Sequence, residues 1–582
     1  MDYMKKYEAW ASGSFFDEQT RDELASLVDS PAEIKERFHK DLEFGTGGLR
    51  GIMGAGTNRI NSYTVRRAAQ GFANYLNNIT YLQKELGVLI AYDSRNFSKQ
   101  FAVETALVMC ANGIKAYVFE SLRPTPELSF GIRHLGLAGG IAVTASHNPP
   151  EYNGFKVYAH DGGQVTHPVD RLIIEEVNKI DDWAEIKTLD KNTAVRDGML
   201  VYVGKEIDEA YYEAILAESV DNTSILEKGA SLNIVFTPLY GSGNMSVREV
   251  LWRAGFKNVH VVKEQEEPNG NFPTVDAPNP EDPRVFKLAL ALADKVRADI
   301  IIGTDPDADR IGVIALDKFG KYIFLNGNMT GILLTEYILS TRKRSGRLPV
   351  DGVIISSVVS TNLTRKISDD YGMKYEEVLT GFKYFGEKIT QMENEKNRTF
   401  LFGFEETYGY LAGTYTRDKD ATLAAYLVCE MAAAYKVRGM TLCDGLDEIY
   451  RKYGYHLENT EYITLKGVEG SVLMKKVMDS YRLEPPKYLG EDKVVRIIDF
   501  KAGISTDLVL EQVEETKLPK SNVVYYQAEG GSWMCIRPSG TEPKMKMYFG
   551  TEAQTFSECE KKLETITKEA LASFEDRKKR YE

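Results

Sequence analysis

The chain has 582 residues, which is too long for one hydrophobic core and indicates several domains. Its 43% hydrophobic and 27% charged residues are ordinary for a globular protein, and no apolar run approaches the roughly 20 residues that span a bilayer. A net charge of −13 argues against a nucleic-acid partner, so the composition predicts neither nucleic-acid binding nor a membrane protein.

The cysteines and histidines of the sequence indicate the compartment and exclude one class of metal site. The five cysteines are scattered and form no CxxC pair, which suits a reducing compartment. The first residues lack the apolar core of a signal peptide, so we expect a cytoplasmic protein. The seven histidines form no HExxH or other ligand cluster, so zinc is not expected.

Three stretches of the chain share one pattern, after an N-terminal extension (1–40) with the spacing of amphipathic helices. Each stretch has an apolar strand, a helical segment, a glycine where a helix would end, and a second extended segment. The first strands are predicted at 88–93, 232–237 and 353–358, and the glycines are Gly113, Gly255 and Gly372. The repeat predicts three related α/β domains.

Each unit then reaches another apolar strand that ends in a polar loop. These loops begin at Ser146, Asp305 and Glu405. Ligand sites of α/β sheets lie beyond the carboxyl ends of strands, so three equivalent loops facing one cleft is the favoured interpretation, and three unrelated turns is the alternative. The segment from about 446 onward lacks the unit, has a helical tail (554–582), and is predicted to be an α+β domain.

The loop from Asp305 to Arg310 (DPDADR) carries three carboxylates with a spacing of two residues. In an extended chain this spacing puts all three on one side, where they would bind a hard cation such as Mg²⁺. An EF-hand is excluded because Arg310 and Leu316 replace its glycine and glutamate. An aspartyl-phosphate motif fits poorly because its fifth position is Asp309, and a solvated acidic turn remains an alternative.

Ser146 follows the strand Gly-Ile-Ala-Val and precedes His147 and two prolines. It could be a nucleophile, a phosphate carrier or a turn residue. A serine hydrolase would pair it with His147, but adjacent loop residues rarely align as nucleophile and base, and GxSxG is missing.

A further loop, Arg537 to Lys544 (RPSGTEPK), follows a strand-like run in the last domain. Its guanidinium group, its two hydroxyls and the backbone N–H groups that the glycine leaves accessible could bind a phosphate. It is not a P-loop, because GxxxxGK[ST] is absent.

Five ordered motifs together resemble the α-D-phosphohexomutase superfamily, and more closely its phosphoglucomutase branch. They are GTGGLR (45–50), TASHNP (144–149), DPDADR (305–310), GFEETYG (403–409) and RPSGT (537–541). The resemblance covers essentially the whole chain and implies three α/β domains and a C-terminal α+β domain around a central cleft. The expected domains are 1–205, 206–322, 323–445 and 446–582.

The resemblance also implies an activity and its cofactors. The expected reaction interconverts α-D-glucose 1-phosphate and glucose 6-phosphate through a phosphoserine and glucose 1,6-bisphosphate, with Mg²⁺; a phosphomannomutase or a phosphopentomutase would use the same mechanism. A sugar-phosphate binding protein without catalysis is the rival from another class. A monomer or homodimer is expected.

The family's functional residues can be carried over to matching positions. Ser146 matches the phosphoserine, and the implied metal ligands are Ser146, Asp305, Asp307 and Asp309. Lys419 matches the general base, which would need a pKa lowered by nearby cations. The reacting phosphate would be lined by Arg50, His147, Lys156 and Arg310. The implied sugar contacts are Thr380, Gly381, Glu405 and Thr407, and the other phosphate would be held by Arg537, Ser539, Gly540 and Thr541.

Overall fold

The computed structural model describes residues 3–43, 48–79, 87–465, 467–538 and 544–582, without the side chains at 467–469 and 471. The chain divides into two compact units. Unit 1 comprises Met1–Gly327 and Phe382–Leu442, and unit 2 comprises Asn328–Gly381 and Cys443–Glu582. None of the described helices combines the length and the apolar character that crossing a bilayer requires.

The predicted N-terminal extension is helical. Its helices are α1 (Tyr3–Ser12), α2 (Glu18–Ala25) and α3 (Pro31–Phe38). The carboxylate of Asp17 begins α2 by accepting a 2.7 Å hydrogen bond from the N–H of Thr20. Buried rings of the extension, including Trp10 and Phe16, pack against Tyr63 of the following domain, so the extension shares a core with it.

The first sheet of unit 1 has, within the described residues, the strand order β1-β5-β4-β2-β3-β6. β2 pairs in parallel with β3 and β4, whereas β5 is antiparallel to β4 and β1. The elements are β1 (Gly48–Ile52), α4 (Ser62–Asn78), β2 (Val88–Tyr92), α5 (Ser98–Ala111), β3 (Ala116–Phe119), α6 (Thr125–Leu135), β4 (Gly139–Val143), β5 (Tyr152–Ala159), α7 (Val169–Asn178), α8 (Lys191–Arg196) and β6 (Leu200–Val203).

The second sheet of unit 1 has, among the residues described, the order β11-β10-β9-β7-β8. Its central strands β7 and β9 are parallel, and β10 folds back antiparallel to β9. The elements are α9 (Lys205–Ala217), α10 (Asn222–Lys228), β7 (Asn233–Thr237), α11 (Gly243–Ala254), β8 (Asn258–Val261), α12 (Lys287–Val296), β9 (Ile300–Thr304), β10 (Ile311–Leu316) and β11 (Tyr322–Leu325).

The third α/β segment contributes elements to both units. A parallel pair, β12 with β13, belongs to unit 2, and an antiparallel pair, β14 with β15, belongs to unit 1. The elements are α13 (Gly327–Arg344), β12 (Gly352–Ser357), α14 (Leu363–Asp370), β13 (Lys374–Val378), α15 (Lys383–Glu395), β14 (Thr399–Glu405), β15 (Gly409–Ala412) and α16 (Ala421–Val437).

The C-terminal part of unit 2 is an antiparallel sheet with helices, which confirms the predicted α+β class. Its described strands follow the order β16-β23-β22-β21-β18-β19-β20, and β17 pairs with β18. The elements are α17 (Leu442–Tyr453), β16 (Tyr455–Thr464), α18 (Gly467–Leu483), β17 (Tyr488–Leu489), β18 (Asp492–Asp499), β19 (Ile504–Asp507), β20 (Gln512–Glu515), β21 (Val524–Ala528), β22 (Trp533–Pro538), β23 (Lys544–Ala553) and α19 (Phe556–Tyr581). Short 3₁₀ turns occur at Trp183–Glu185, Gly229–Ser231, Lys263–Gln265, Pro283–Phe286 and Glu529–Gly531.

The predicted threefold repeat is confirmed by β2–α5–β3, β7–α11–β8 and β12–α14–β13. In each copy of the repeat, one helix connects two parallel strands. The glycines that follow these helices have left-handed φ angles, +76° at Gly113, +109° at Gly255 and +70° at Gly372. A residue with a Cβ atom rarely adopts this conformation, so glycine ends each helix and lets the next strand begin.

Candidate active site

Ser146 lies three residues beyond the end of β4, at the carboxyl edge of the first sheet. The residue is 2% exposed and has a left-handed φ of +51°. Its Oγ donates a 2.7 Å hydrogen bond to Oδ2 of Asp305, and its N–H donates one of 2.7 Å to Oγ1 of Thr144. The loops after β4 and β9 therefore meet, as the equivalence of the two repeats predicts.

The loop from Asp305 to Arg310 is a turn, and the extended conformation expected from its sequence is wrong. The N–H of Ala308, which has a left-handed φ of +50°, donates to the carbonyl of Asp305. Oδ1 of Asp305 accepts two hydrogen bonds of 3.1 Å, from the N–H groups of Asp309 and Arg310. The aspartate closes its own loop by these bonds, and this closure, rather than strand alternation, brings the carboxylates together.

The three carboxylates of this loop form a group that could hold a metal ion. One oxygen from each of Asp305, Asp307 and Asp309 lies within 4.8 Å of the other two, and all three residues are buried. Oδ1 of Asp307 and Oδ1 of Asp309 are buried and make no hydrogen bond within the described residues. Buried carboxylate oxygens without donors are the ligand set that a hard cation prefers, so these residues fit Mg²⁺.

Two lysines and an arginine face the same carboxylates. Nζ of Lys156 lies 2.9 Å from Oδ2 of Asp307, and Nζ of Lys419 lies 2.8 Å from Oδ2 of Asp309. Nε of Arg310 lies 3.7 Å from Oδ1 of Asp309. Asp309 is therefore ionised: burial raises the pKa of its carboxyl, but Lys419, Lys156 and Arg310 outweigh burial and hold that pKa below its usual value.

The pKa of Lys419 is raised in this structure, in the direction opposite to the lowering that a general base would need. Burial alone would lower it, but the carboxylates of Asp309, Asp418 and Glu405 outweigh both burial and the nearby Arg310, so the pKa of Lys419 is raised. The pKa of Lys156 is raised for the same reason, by Asp307 and Asp309. Both pKa values are raised because the nearest carboxylates act on each ammonium group more strongly than burial and the other cations do.

His147 and Arg50 contact the serine loop. Nδ1 of His147 is 3.2 Å from Oγ of Ser146, so these adjacent residues are within hydrogen-bond distance, contrary to expectation. Arg50 is exposed on β1 and donates a 3.2 Å hydrogen bond from Nη1 to Oδ1 of Asn148. Glu281, which the sequence did not single out, pairs with the guanidinium of Arg310.

Glu405 ends β14 in unit 1 and is 3% exposed. Its Oε2 makes no hydrogen bond to any described residue, and its charge acts on both Lys419 and Arg310. Thr407 is half-buried in the turn that follows. A buried acceptor without a donor, beside the cations of the site, suits a hydroxyl-bearing ligand.

The remaining predicted contacts do not belong to unit 1. Thr380 and Gly381 follow β13 in unit 2, and Arg537 is half-buried on β22 of the same unit. Ser539, Gly540 and Thr541 lie outside the described residues, as do Phe44 to Gly47 of the first glycine-rich motif.

Sequence reasoning missed several buried groups that hold the site. Thr125, at the start of α6, donates through its N–H to the carbonyl of Asp307 and through Oγ1 to Oδ2 of the same residue, at 2.9 and 3.0 Å. The hydroxyl of Tyr158 donates a 2.7 Å hydrogen bond to Asp418, beside Lys419. Arg95 contacts the serine loop, and its one signal in the sequence is its position just after the first apolar strand.

Models of known protein families match most of the chain. The α/β/α domain I, II and III models of phosphoglucomutase/phosphomannomutase match residues 41–183, 209–318 and 326–453. The phosphoglucomutase of Staphylococcus saprophyticus is 35% identical over 532 residues, which is 90% of this chain and 93% of the relative. The phosphoglucomutase of Staphylococcus aureus strain MRSA252 is 35% identical over 540 residues, 92% of this chain and 94% of the relative.

Solved structures agree in fold. The phosphoglucomutase pp63/parafusin of Paramecium, in its open form, has a TM-score of 0.67 at 17% identity and covers 92% of this chain and 95% of its own. A phosphoglucomutase/phosphomannomutase family protein of Burkholderia thailandensis has a TM-score of 0.63 at 18% identity, and the match covers 91% of this chain and 97% of the other.

The fold and the family models define an α-D-phosphohexomutase. Within that superfamily the chain belongs to the phosphoglucomutase/phosphomannomutase family. It is therefore an enzyme of the isomerase class that carries out phosphoryl transfer.

Proposed function

We propose that this enzyme is a phosphoglucomutase that interconverts α-D-glucose 1-phosphate and glucose 6-phosphate, with Ser146 as the phosphoryl carrier. The observation that carries the proposal is the 2.7 Å hydrogen bond from Oγ of Ser146 to Asp305, within a group of three buried carboxylates. This contact puts an acceptor hydroxyl directly at a cation-binding group, which phosphoryl transfer requires and a binding protein does not.

We propose Mg²⁺ as the cofactor, held by Asp305, Asp307 and Asp309 together with phosphorylated Ser146. A bound Mg²⁺ would neutralise charge on the phosphoryl group as it is transferred. The protein's own cations contribute beside it: Lys156 and Lys419 direct their ammonium groups at the carboxylate cluster, and Arg310 lies beside Asp309. Arg50 and His147 contact residues of the serine loop.

Glucose 1,6-bisphosphate is the proposed intermediate and activator. In one direction phosphorylated Ser146 gives its phosphoryl group to the 6-hydroxyl of glucose 1-phosphate, and Ser146 later takes the 1-phosphoryl group of the bisphosphate. The proton that the 6-hydroxyl loses in the first step is the one that Oγ of Ser146 gains, and the proton that Ser146 loses in the second step replaces the one that Lys419 gives to the departing sugar oxygen. The two esters are similar in energy, so the protein mainly positions the groups and neutralises their charge.

Lys419 has a different proposed role from the one expected from its sequence. Its raised pKa keeps it protonated, so in the resting enzyme it acts as a cation and as a proton donor to the departing sugar oxygen. It becomes the base only in the reverse step, after it has given up that proton. This assignment follows from microscopic reversibility and needs no neutral lysine in the free enzyme.

The sugar and the second phosphate are assigned to the remaining residues. Glu405 and Thr407, with Thr380 and Gly381, are the proposed sugar contacts, and Arg537, Ser539, Gly540 and Thr541 are the proposed contacts of the phosphate that is not reacting. The four-domain division at 205, 322 and 445, a cytoplasmic location, a monomeric or homodimeric state and the lack of a nucleic-acid partner stay predictions.

The test compares three sugars under one condition. Purified protein is incubated with Mg²⁺, a trace of glucose 1,6-bisphosphate and glucose 1-phosphate, mannose 1-phosphate or ribose 1-phosphate, and the 6- or 5-phosphate product is measured. We expect kcat/KM to be highest for glucose, lower for mannose and lowest for ribose. The buried acceptor of Glu405 can bind the 3- and 4-hydroxyls, which glucose and mannose share, and each such bond contributes about 1.5–3 kcal/mol.

Each alternative has its own outcome in this assay. A preference for mannose 1-phosphate would identify a phosphomannomutase, and a preference for ribose 1-phosphate a phosphopentomutase. Release of inorganic phosphate without isomerisation, from protein that keeps activity after chelation of divalent metals, would instead indicate a hydrolase built on Ser146 and His147.

A further inference from the structure

Arg95 lies at the same sheet edge as Ser146, one strand away. β2 and β4 are parallel neighbours in which Tyr92 is paired with Val143, and Arg95 and Ser146 each lie three residues beyond that pair. The side chain of Arg95 is fully buried. Its position in the fold, rather than a motif, brings its guanidinium to the serine loop.

The guanidinium of Arg95 binds four carbonyl oxygens of this loop. Nη2 donates to the carbonyls of Ser146, at 2.5 Å, and of Asn148. Nη1 donates to the carbonyls of Pro149, at 2.8 Å, and Tyr152, at 3.1 Å. The two terminal nitrogens carry four N–H groups, so each has one carbonyl acceptor.

An ion pair with Asp93 gives Arg95 a second connection to the serine, although the Nε atom of Arg95 makes no hydrogen bond within the described residues. Its Nε lies 3.3 Å from Oδ2 of Asp93, and both side chains are fully buried. The same Oδ2 accepts a 2.7 Å hydrogen bond from Oγ1 of Thr144, whose oxygen in turn accepts the N–H of Ser146. Arg95 and Asp93 therefore hold the backbone on both sides of Ser146.

Such a buried ion pair is poorly explained as a device for stability, because removing two charges from water costs several kcal/mol per ion. We expect the ion pair instead to fix the backbone conformation of the serine loop. Ser146 has a left-handed φ of +51°, a conformation that residues with a Cβ atom rarely adopt, and glycine cannot replace it if a hydroxyl must carry phosphate. The surrounding structure has to impose this conformation.

We propose that Arg95 is a positioning residue, which holds the backbone of Ser146 left-handed so that Oγ is directed at Asp305. The role of this positioning in phosphoryl transfer rests on the function proposed above, whereas the restraint of the loop does not. Arg95 is buried under the serine loop and contacts none of the residues proposed to bind the sugar. Its replacement should therefore lower kcat and leave KM nearly unchanged.

The test uses Arg95→Lys, which keeps the charge but replaces a planar fork of donors by a single nitrogen that cannot reach four carbonyls. Two measurements are made on the full-length protein: kcat and KM with glucose 1-phosphate, and hydrogen–deuterium exchange of the peptide that covers residues 144–152. We expect kcat to fall at least about tenfold with KM within about threefold, and the loop amides to exchange at least about tenfold faster.

Arg59→Lys is the matched control. Arg59 is also buried, and its guanidinium binds Glu33 and Glu36 of the N-terminal extension rather than the serine loop. This variant should lose thermal stability to a similar extent while exchange at 144–152 and kcat stay within about twofold of wild type. If Arg95→Lys does not fold, Thr144→Val tests the same connection by removing the acceptor of the Ser146 N–H with little change in volume.

The outcomes separate this inference from the proposed function. Unchanged loop exchange in Arg95→Lys and in Thr144→Val, or an equal loss of kcat in Arg59→Lys, would overturn the positioning role. Wild-type protein that turns over no sugar phosphate would overturn the proposed function, and the exchange measurement would still decide whether Arg95 restrains the loop.

Discussion

The hydroxyl of Ser146 and the carboxylate of Asp305, 159 positions apart in the sequence, are joined by a hydrogen bond of 2.7 Å. Each residue follows the same strand of its own repeat, β4 in the first sheet and β9 in the second. One contact therefore relates the proposed phosphoryl carrier to the proposed metal ligands.

Ser146→Ala should abolish turnover, with a loss of about 10³-fold or more, because it removes the hydroxyl that is proposed to carry the phosphoryl group. The measurement is mutase activity, with mass spectrometry of the tryptic peptide that contains residue 146. Wild-type protein incubated with glucose 1,6-bisphosphate should gain one phosphate on this peptide, and the variant none. Full activity in the alanine variant would exclude Ser146 as the carrier.

Asp307→Asn should lower activity at saturating Mg²⁺ by more than about 100-fold. Loss of a residue that only hydrogen-bonds to a metal ligand costs roughly 10- to 100-fold, and Asp307 is proposed to bind the metal directly. The neutral amide weakens cation binding, while Thr125 can still donate to its oxygen. Asp317→Asn is the control, since Asp317 serves a turn after β10 by accepting the N–H groups of Phe319 and Lys321. Activity and melting temperature are measured as Mg²⁺ is titrated.

The metal hypothesis fails if Asp307→Asn melts early and recovers full activity at a lower temperature, because the carboxylate would then serve folding alone. It also fails if wild-type activity survives complete chelation of divalent cations.

Gly409→Ala should displace Lys419, because a Cβ atom at position 409 would lie 2.3 Å from Cδ of that lysine. Lys419 is buried, so its side chain has little room to move aside. We expect kcat to fall at least about tenfold with a small change in melting temperature. The measurement is a double-mutant cycle with Lys419→Ala: once Cδ of residue 419 is gone, the alanine at position 409 should cost almost nothing further. Additive losses would show that Gly409 acts independently of Lys419.

Asp420→Asn should change the pH dependence of stability. Burial raises the pKa of Asp420 to about 6 although four hydrogen-bond donors face it. Its carboxyl therefore binds a proton more tightly in the folded chain than in the unfolded chain, so its contribution to stability is complete below pH ~4 and is lost as pH rises through 6. The loss amounts to about 3 kcal/mol. The melting temperature of the asparagine variant, relative to wild type, should rise over that range.

Asp190 supplies the control of opposite sign. It is exposed at the start of α8, and hydrogen bonds from Thr193 hold the pKa of its carboxyl below its usual value. Its contribution to stability is therefore lost as pH falls, and Asp190→Asn should be least favourable at neutral pH. If the difference in melting temperature between wild type and Asp420→Asn stays constant from pH 4 to 8, the raised pKa of Asp420 is refuted.

The sequence predicted the parts of the site that depend on residue type and position along the chain. Strand ends identified the loops of Ser146, Asp305 and Glu405, and the three glycines predicted where helices end, because a left-handed residue there has a strong preference for glycine. The contacts among these loops could be expected only from the equivalence of the repeats.

The geometry within the site could not be predicted in the same way. The carboxylates of 305–310 converge because Asp305 accepts hydrogen bonds from N–H groups of its own loop. The spacing of the aspartates in the sequence does not predict these hydrogen bonds. The pKa of Lys419 is raised because the carboxylates nearest to it in space outweigh the cations, and two of them, Asp309 and Glu405, are distant in sequence. Arg95 carries no motif, and only strand register brings it beneath Ser146.

The left-handed backbone at Ser146 has a consequence for the evolution of this enzyme. Ser146→Gly and Ser146→Ala both remove the hydroxyl, and they differ in whether a Cβ atom occupies a conformation that costs about 1 kcal/mol. The glycine variant should therefore melt at a higher temperature than the alanine variant, and equal melting temperatures would contradict this. A library selected for heat resistance alone would thus accumulate glycine at position 146, a substitution that relaxes the loop and removes the proposed phosphoryl carrier. Only selection for turnover keeps serine there, so at this position activity and thermal stability are opposing traits.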